Sequence, residues 1–284
     1  MGMGVVRSLL RAGFATHVRD VRREAEQEAA ALGATCHASP AALVAGCEIA
    51  IVLVVDAAQI DDVLFGPDGA AAALPAGGIV MVASTVDPDY VTALAPRIAA
   101  TGGVLIDAPI SGGPRRAADG TMTMMIAGEP AALARCGQVL AAIAGKVFHV
   151  GTRPGDAAKF KIVNNLLAAV NLAAGAEALA LAVKAGLDPR QVVAVINASS
   201  GGSWMFADRM PRALDGDFAP RATARILTKD IGIAVDFASR HGVVTPFAAA
   251  ARTALAATVA AGFGDEDDAA IVKWSLRNAG LPAD

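Results

Sequence analysis

The fold of this chain is decided at the stretch Gly155-Asp156-Ala157-Ala158-Lys159-Phe160-Lys161-Ile162-Val163-Asn164-Asn165, where the character of the sequence changes. This stretch opens a long apolar helical pattern that continues to about Ala185. Upstream of it, strand-like and helix-like segments alternate, whereas downstream the strand signals stop and helices are separated by glycine and proline. The change predicts two domains, at residues 1–154 and 155–284.

The upstream half has the pattern of an α/β domain. Short apolar runs predict strands at residues 15–20, 49–55, 79–83, 104–108 and 122–127, and amphipathic patterns predict helices at 5–12, 22–32 and from Ile60 onward. This alternation predicts a parallel, doubly wound sheet. In the downstream half, helices are predicted at 156–185, 189–197, 223–241, 247–261 and 268–279. We therefore expect an all-α second domain.

The composition argues against several classes of protein. With 284 residues, 55% of them hydrophobic, the chain can bury a large core. Its net charge of -3 and its lack of a basic run argue against a nucleic-acid partner. Its 3 cysteines are scattered, which argues against a disulfide framework or a metal site and favours the cytoplasm. The longest apolar stretch, residues 166–183, contains Asn171 and Glu177, so we interpret it as a buried helix and not as a membrane span.

The N-terminus carries part of a dinucleotide-binding motif. In such a motif a strand runs into G-x-G-x-x-G at the start of a helix, where the pyrophosphate approaches the backbone. Here Met1-Gly2-Met3-Gly4 leads straight into a helical pattern, so the third glycine is present and the strand and first two glycines are not. We expect the working protein to begin upstream of Met1, because the first strand normally lies centrally in this sheet. The alternative is a short, cofactor-deficient chain that acts as a non-catalytic binding or oligomer-forming protein.

An acidic residue ends the next predicted strand. Asp20 stands where a carboxylate can accept hydrogen bonds from the ribose hydroxyls of a dinucleotide, although a polar residue at a strand end explains it equally well. The neighbouring Arg19, Arg22 and Arg23 keep NADP open as the cofactor. Because Asp20 would repel a 2′-phosphate, the sequence favours NAD.

Three polar residues share one face at the start of the long helix. Lys161, Asn164 and Asn165 stand at i, i+3 and i+4, at the boundary between the predicted domains, where ligands tend to bind. Oxidation of a secondary alcohol needs a group that takes the hydroxyl proton, and a partly desolvated lysine can do so. Lys161 is our candidate for this group. The alternative is a lysine that lies near a helix start beside two capping amides.

Polar groups also follow two of the predicted strands. Asp107-Ala108-Pro109-Ile110-Ser111-Gly112-Gly113 offers hydroxyl and backbone N–H donors suited to a carboxylate, although a plain tight turn fits as well. Ser84-Thr85 ends a strand at the edge where cofactors bind in open α/β sheets. Lys229-Asp230 lies in a helical pattern, where a solvated ion pair is the simpler interpretation.

In this order, the segments resemble the β-hydroxyacid dehydrogenase family, which includes the 3-hydroxyisobutyrate dehydrogenases. The resemblance covers essentially the whole chain and rests on Asp107–Gly113 followed by Gly120-Thr121-Met122, on Lys161–Asn165 and on Lys229-Asp230. It implies a Rossmann-type domain followed by an all-helical domain that often builds the oligomer, here a homodimer or homotetramer. It also implies hydride transfer between NAD or NADP and a small hydroxy acid.

The resemblance implies roles for individual residues. Lys161 would be the general acid/base, Asn165 would hold the substrate and the lysine, and Asn164 would also lie at the substrate. The residues expected at the substrate carboxylate are Ser111, Gly112 and Gly113. The residues expected at the cofactor are Gly2, Met3, Asp20, Val55, Thr85 and Lys229.

Two segments suggest a branch of the family. Val55-Asp56-Ala57-Ala58-Gln59 and Gly202-Ser203-Trp204-Met205-Phe206 are most similar to the L-threonate dehydrogenase branch, which acts on four-carbon sugar acids. Arg225 departs from that branch, because we expect a neutral or acidic residue there. The substrate expected from the resemblance is therefore L-threonate, a similar four-carbon acid or a 3-hydroxyisobutyrate-like acid.

Overall fold

The computed structural model describes residues 1–282 and divides into two compact units, Met1–Lys161 and Ile162–Asp284. The long helix α9 (Asp156–Lys184) begins in the first unit and continues into the second as one uninterrupted helix of 29 residues. The domain division predicted at 154/155 lies just ahead of this helix and stays a prediction.

The first unit contains a mixed sheet of six strands and a separate pair of two strands among the described residues. The strands are β1 (His17–Val18), β2 (Thr35–Cys36), β3 (Ile49–Val52), β4 (Ile79–Val82), β5 (Val104–Asp107), β6 (Ile110–Ser111), β7 (Met122–Ala127) and β8 (Ala144–Gly151). Strands β3, β4 and β5 are parallel neighbours, and β8 is parallel to β7. Among the described residues, β1 and β2 form a parallel pair of their own, apart from the other six strands.

The prediction of a parallel sheet is wrong at β7. Strand β7 runs antiparallel to both β5 and β6. The chain between β6 and β7 spans only residues 112–121, which is too short for the crossover that a parallel pair requires. Strand β8 went unpredicted because Gly145, Lys146 and His149 interrupt its apolar pattern at the edge of the sheet.

The sheet of the first unit is covered on both faces, which confirms the doubly wound arrangement. The helices are α1 (Gly2–Arg11), α2 (Arg23–Ala31), α3 (Pro40–Val44), α4 (Ala57–Phe65), α5 (Pro88–Ala99), α6 (Gly113–Asp119), α7 (Pro130–Arg135) and α8 (Gly137–Ile143). All four residues of β4 are fully buried, and they alternate between two cores. Ile79 and Met81 pack with residues of α1, α6, α7 and α8, whereas Val80 and Val82 pack with residues of α3, α4 and α5.

The second unit is helical in the residues that the structure describes, as predicted. After α9 come α10 (Pro189–Asn197), α11 (Trp204–Leu214), α12 (Ala224–Arg240), α13 (Pro246–Thr258) and α14 (Ile271–Asn278). Their buried faces form one core, to which α11 contributes Met205, Phe206 and Met210. Helix α11 went unpredicted because Pro211 lies inside its apolar pattern, and proline ordinarily ends a helix.

Two helical segments are long and apolar enough to cross a membrane, by length and composition alone. They are Asp156–Lys184, with a mean hydropathy of 1.9, and Pro246–Phe263, with 1.2. The core helix of a soluble protein has the same properties. Leu172, Ala176 and Leu179 of α9 do belong to the core of the helical unit, as expected for a helix packed within protein.

Candidate active site

Three neighbouring parallel strands of the first unit end at the same edge of the sheet. Val55 follows β3, Thr85 follows β4, and β5 ends at Asp107. The hydroxyl of the buried Ser84 accepts a hydrogen bond from the Val54 N–H at 2.9 Å, which joins the loop after β3 to the loop after β4. In open α/β sheets, ligands bind outside the carboxyl ends of such strands. The structure thus brings Val55 and Thr85 to the same edge.

The carboxylate of Asp107 connects this edge to the start of α9. Its Oδ2 accepts hydrogen bonds from the backbone N–H groups of Gly155 at 2.8 Å and Ala158 at 2.9 Å. Burial raises the pKa of Asp107 to about 6, because the desolvation of the charged form outweighs these hydrogen bonds, which lower it. Lys161, less than one turn beyond Ala158, is thereby held at a defined place relative to the end of β5.

The sequence pattern alone assigned no role to Asp107. Its position as an acidic residue at the end of a buried apolar strand was the available signal. Its two partners lie 48 and 51 residues further along the chain, which is why the contact itself escaped prediction.

The Ser111-Gly112-Gly113 turn connects the last residue of β6 to the first residue of α6 and requires its glycines. Gly112 and Gly113 have φ angles of 131° and 74°, a region that disfavours residues with a Cβ. A Cβ on Gly112 would also lie 3.0 Å from Cβ and Cδ of Arg116. The turn therefore presents one hydroxyl and closely spaced backbone N–H groups, and its role as a carboxylate-binding element stays a prediction.

The two lysines at the start of α9 have contrasting surroundings. Lys159 is exposed, and its Nζ lies 3.0 Å from Oδ1 of Asp156. Lys161 is buried, at 7% exposure, although lysine is among the residues least often buried. The i, i+3 and i+4 spacing places Asn164 and Asn165 on the same helix face as Lys161. Lys161 rather than Lys159 thus has the desolvated surroundings expected of a proton-transferring lysine.

A chain of polar contacts extends from the two asparagines within the second unit. Nδ2 of Asn164 donates to Oδ1 of Asn165 at 3.0 Å, and Nδ2 of Asn165 donates to Oδ2 of Asp230 at 2.7 Å. Nζ of Lys229 lies 2.7 Å from Oδ1 of Asp230, so the two residues form an ion pair. Asp230 is buried and therefore holds the Asn165 amide in one orientation. Its pairing with Lys229 in the sequence was the only signal of this role.

The N-terminal glycines lie at the start of α1. A Cβ on Gly4 would lie 2.7 Å from Cβ of Ala117, so Gly4 allows α1 to pack closely on α6. Gly2 has open space where a Cβ would stand, and Met3 is half-buried. The first turn of α1 can thus present backbone N–H groups to a phosphate, with room beside Gly2 for the ligand.

Asp20 lies two residues after the end of β1, although the predicted strand runs through it, and its side chain is bonded to its neighbours. Its Oδ1 accepts a hydrogen bond from the Arg22 N–H at 2.8 Å, and the Arg22 guanidinium lies within 3.4 Å of the same carboxylate. Arg19 pairs with Glu26 at 2.8 Å. Two of the arginines that keep NADP open are therefore paired with carboxylates.

These hydrogen-bond donors and acceptors fit a dinucleotide at the carboxyl edge of the first unit. The start of α1 suits phosphates, Asp20 suits ribose hydroxyls, and Val55 and Thr85 line the strand ends. Lys229 lies on α12 in the second unit, and its predicted place at the cofactor stays a prediction. Within residues 1–282, no group of three or more His, Cys, Asp or Glu side chains could hold a metal ion.

Each of the two units matches a known protein family. Residues 1–151 match the NAD binding domain of 6-phosphogluconate dehydrogenase, and residues 155–275 match the NAD-binding domain of NADP-dependent 3-hydroxyisobutyrate dehydrogenase. Among curated relatives, an L-threonate dehydrogenase of Cupriavidus necator is 46% identical, and the match covers 96% of this chain and 92% of that protein. The similarity therefore extends through both units.

Solved structures show the same architecture. A structure from Salmonella typhimurium described as 3-hydroxyisobutyrate dehydrogenase has a TM-score of 0.90 at 39% identity, covering 96% of this chain and 95% of that one. Psf3, solved in complex with NADP+, has a TM-score of 0.89 at 26% identity, with 96% of each chain covered. The arrangement of elements described above is thus shared with both.

Proposed function

From the premise that this chain belongs to the 3-hydroxyisobutyrate dehydrogenase family of NAD(P)-dependent hydroxyacid dehydrogenases, we propose that it oxidises L-threonate with Lys161 as the general acid/base. The observation that carries the proposal is the buried Lys161 on a helix face shared with Asn165. The choice of substrate is supported by the L-threonate dehydrogenase of C. necator at 46% identity. Other four-carbon sugar acids and 3-hydroxyisobutyrate are the nearest alternatives.

Each polar group has a part in this reaction. The Ser111 hydroxyl and the N–H groups of Gly112 and Gly113 bind the substrate carboxylate and so fix the carbinol carbon. Lys161, in its neutral form, takes the proton of the substrate hydroxyl as the carbinol C–H bond breaks, which leaves a carbonyl group. A bound nicotinamide would supply the acceptor for the hydride that leaves this carbon. Lys161 then releases the proton to solvent.

Asp230 acts in this scheme as a positioning residue, through Asn165. We expect Asp230→Ala to lower kcat by about 10- to 100-fold, because the buried Asn165 amide loses a hydrogen bond to a charged acceptor. Asp230→Asn should restore most of the loss, since its side-chain oxygen can still accept from Asn165. Steady-state kinetics of both variants measure the effect.

A matched control for Asp230 lies on the same helix. Asp236 is exposed and pairs with Arg252 at 2.7 Å. An exposed ion pair contributes little to stability. Asp236→Ala should therefore leave kcat within twofold of the wild-type value. Thermal unfolding of each variant separates a folding defect from a kinetic one. An unchanged kcat in Asp230→Ala would contradict the positioning role.

NAD is the cofactor that we propose, with NADP as the alternative. Asp20 would repel a 2′-phosphate, and its neighbour Arg22 is already paired with it. The complex of Psf3 with NADP+ shows that a chain of this architecture can take the other cofactor.

A steady-state assay of the purified chain tests the proposed activity. L-threonate and 3-hydroxyisobutyrate are each offered with NAD+ and NADP+, and formation of the reduced cofactor is followed by absorbance. We expect turnover of L-threonate, with the higher kcat/KM for NAD+. No turnover of either acid, together with no binding of either cofactor in calorimetric titration, would contradict the proposal and favour a non-catalytic binding protein.

We further propose that the protein is cytoplasmic.

We also propose that α9 pairs with a second copy of this chain. Val163, Leu167 and Leu181 lie on one face of α9, and 58% to 70% of each residue is exposed. An apolar stripe of this kind marks an interaction surface, and a homodimer or homotetramer would cover it. Sedimentation velocity tests this arrangement, and a monomer would contradict it.

A further inference from the structure

Two consecutive arginines beside the Ser111-Gly112-Gly113 turn have contrasting surroundings. The side chain of Arg115 is 93% exposed and lies 3.9 Å from the carboxylate of Asp119. Arg116 is half-buried and runs back over Gly112, with its Nε only 3.2 Å from where a Cβ of that glycine would stand. The guanidinium of Arg116 therefore lies against the turn, whereas that of Arg115 does not.

The hydrogen bonds of Arg116 go to neutral acceptors. Its Nε donates to the Thr121 carbonyl at 2.8 Å, and its Nη2 reaches Oγ1 of Thr123 at 3.5 Å. Within residues 1–282, no carboxylate lies within ion-pair distance of Arg116, and its Nη1 donates no hydrogen bond. A half-buried cation without a counter-charge favours the binding of an anion at the same place.

We propose that Arg116 binds the substrate carboxylate together with the Ser111-Gly112-Gly113 turn and selects hydroxy acids over their uncharged analogues. This inference rests on the proposed function, because it assigns a further residue to the same substrate. A guanidinium makes charge-assisted hydrogen bonds with a carboxylate, and the unused N–H groups of Nη1 are available for them. The backbone N–H groups and the cation then act on one carboxylate from the same turn.

A comparison of an acid with its amide tests this role. Calorimetric titration measures the Kd of L-threonate and of L-threonamide for wild type, Arg116→Ala, Arg116→Lys and the control Arg115→Ala. We expect Arg116→Ala to raise the Kd of L-threonate by about 10- to 100-fold and to leave that of the amide unchanged, because only the acid gains a charge-assisted bond. Arg116→Lys should recover part of the affinity, and Arg115→Ala should bind both ligands like wild type.

Other results separate a structural role from the proposed one. An equal loss for acid and amide would show that Arg116 only supports the turn through Thr121, and an unchanged Kd for the acid would equally overturn the inference. Wild-type protein that binds L-threonate through Arg116 but does not oxidise it would contradict the proposed function and leave the role of Arg116 standing. If the wild type oxidises L-threonate and Arg116→Ala does so with the same KM, only the role of Arg116 is contradicted.

Discussion

We expect Lys161→Ala to lower kcat for L-threonate oxidation by about 10²- to 10⁴-fold, the contribution of one general base. The variant keeps the backbone proposed to bind the carboxylate and the sheet edge proposed for the cofactor, so the Kd of NAD+ should stay near the wild-type value. Steady-state kinetics and calorimetric titration measure the two quantities separately. A loss of kcat without a loss of cofactor binding is the expected pattern.

Two further variants distinguish proton transfer from charge. Lys161→Arg keeps the positive charge, but a guanidinium stays protonated and cannot accept the hydroxyl proton, so kcat should fall about as far as in Lys161→Ala. Lys159→Ala is the matched control, because Lys159 lies two residues earlier on the same helix, is exposed and pairs with Asp156. Turnover retained in Lys161→Ala, or lost equally in Lys159→Ala, would contradict the role of Lys161.

The second large effect concerns stability and Asp107. We expect Asp107→Ala to lower the free energy of unfolding by about 3 kcal/mol, because two buried N–H groups, of Gly155 and Ala158, lose their acceptor. Urea unfolding followed by circular dichroism measures the change. Asp119→Ala is the control, since Asp119 is an exposed carboxylate, and it should change the free energy of unfolding by less than about 1 kcal/mol. If Asp107→Ala is as stable as that control, the hydrogen bonds of Asp107 to the start of α9 do not stabilise the fold.

Asp107 also predicts how stability depends on pH. Burial raises its pKa from 3.8 to about 6 in the folded protein, so the folded state binds the proton more tightly than the unfolded state. The resulting stabilisation of the folded state is fully present below about pH 4 and is lost as the pH rises through about 6. The stabilisation that is lost amounts to roughly 3 kcal/mol. Asp107→Asn removes the titration while keeping a side-chain acceptor. The free energy of unfolding of wild type minus that of Asp107→Asn should therefore fall as the pH rises over this range. A difference that does not change with pH would contradict the raised pKa.

Local pattern predicted the elements whose apolar residues face a single core. Strand β7 and helix α10 have the predicted limits. A run that is apolar except for Thr123 marks the strand, and a helical period marks the helix. The strand predicted at 15–20 shrinks to His17–Val18, because among the described residues it pairs only with the equally short β2. Pairing with neighbours, and not the local pattern, sets the length of such a strand.

Some features of the candidate site could also be predicted from the local sequence pattern. The shared face of Lys161, Asn164 and Asn165 could be predicted, because residues three and four apart meet on any helix. The role of Gly112 and Gly113 as a turn could also be predicted from residue type, since glycine tolerates positive φ angles. These features depend only on neighbours in the chain.

The sequence by itself determined the α/β and helical halves of this protein, and with them the helix that carries Lys161. Only the tertiary structure decided which partners hold two of the buried polar groups: Asp107 accepts from the backbone at the start of α9, and Asp230 accepts from Asn165. The bond from Asn165 to Asp230 joins residues 65 positions apart, and no local period encodes such a pairing. Periodicity reports which face of an element is buried, whereas the partner of a buried polar group is set by which other element packs there.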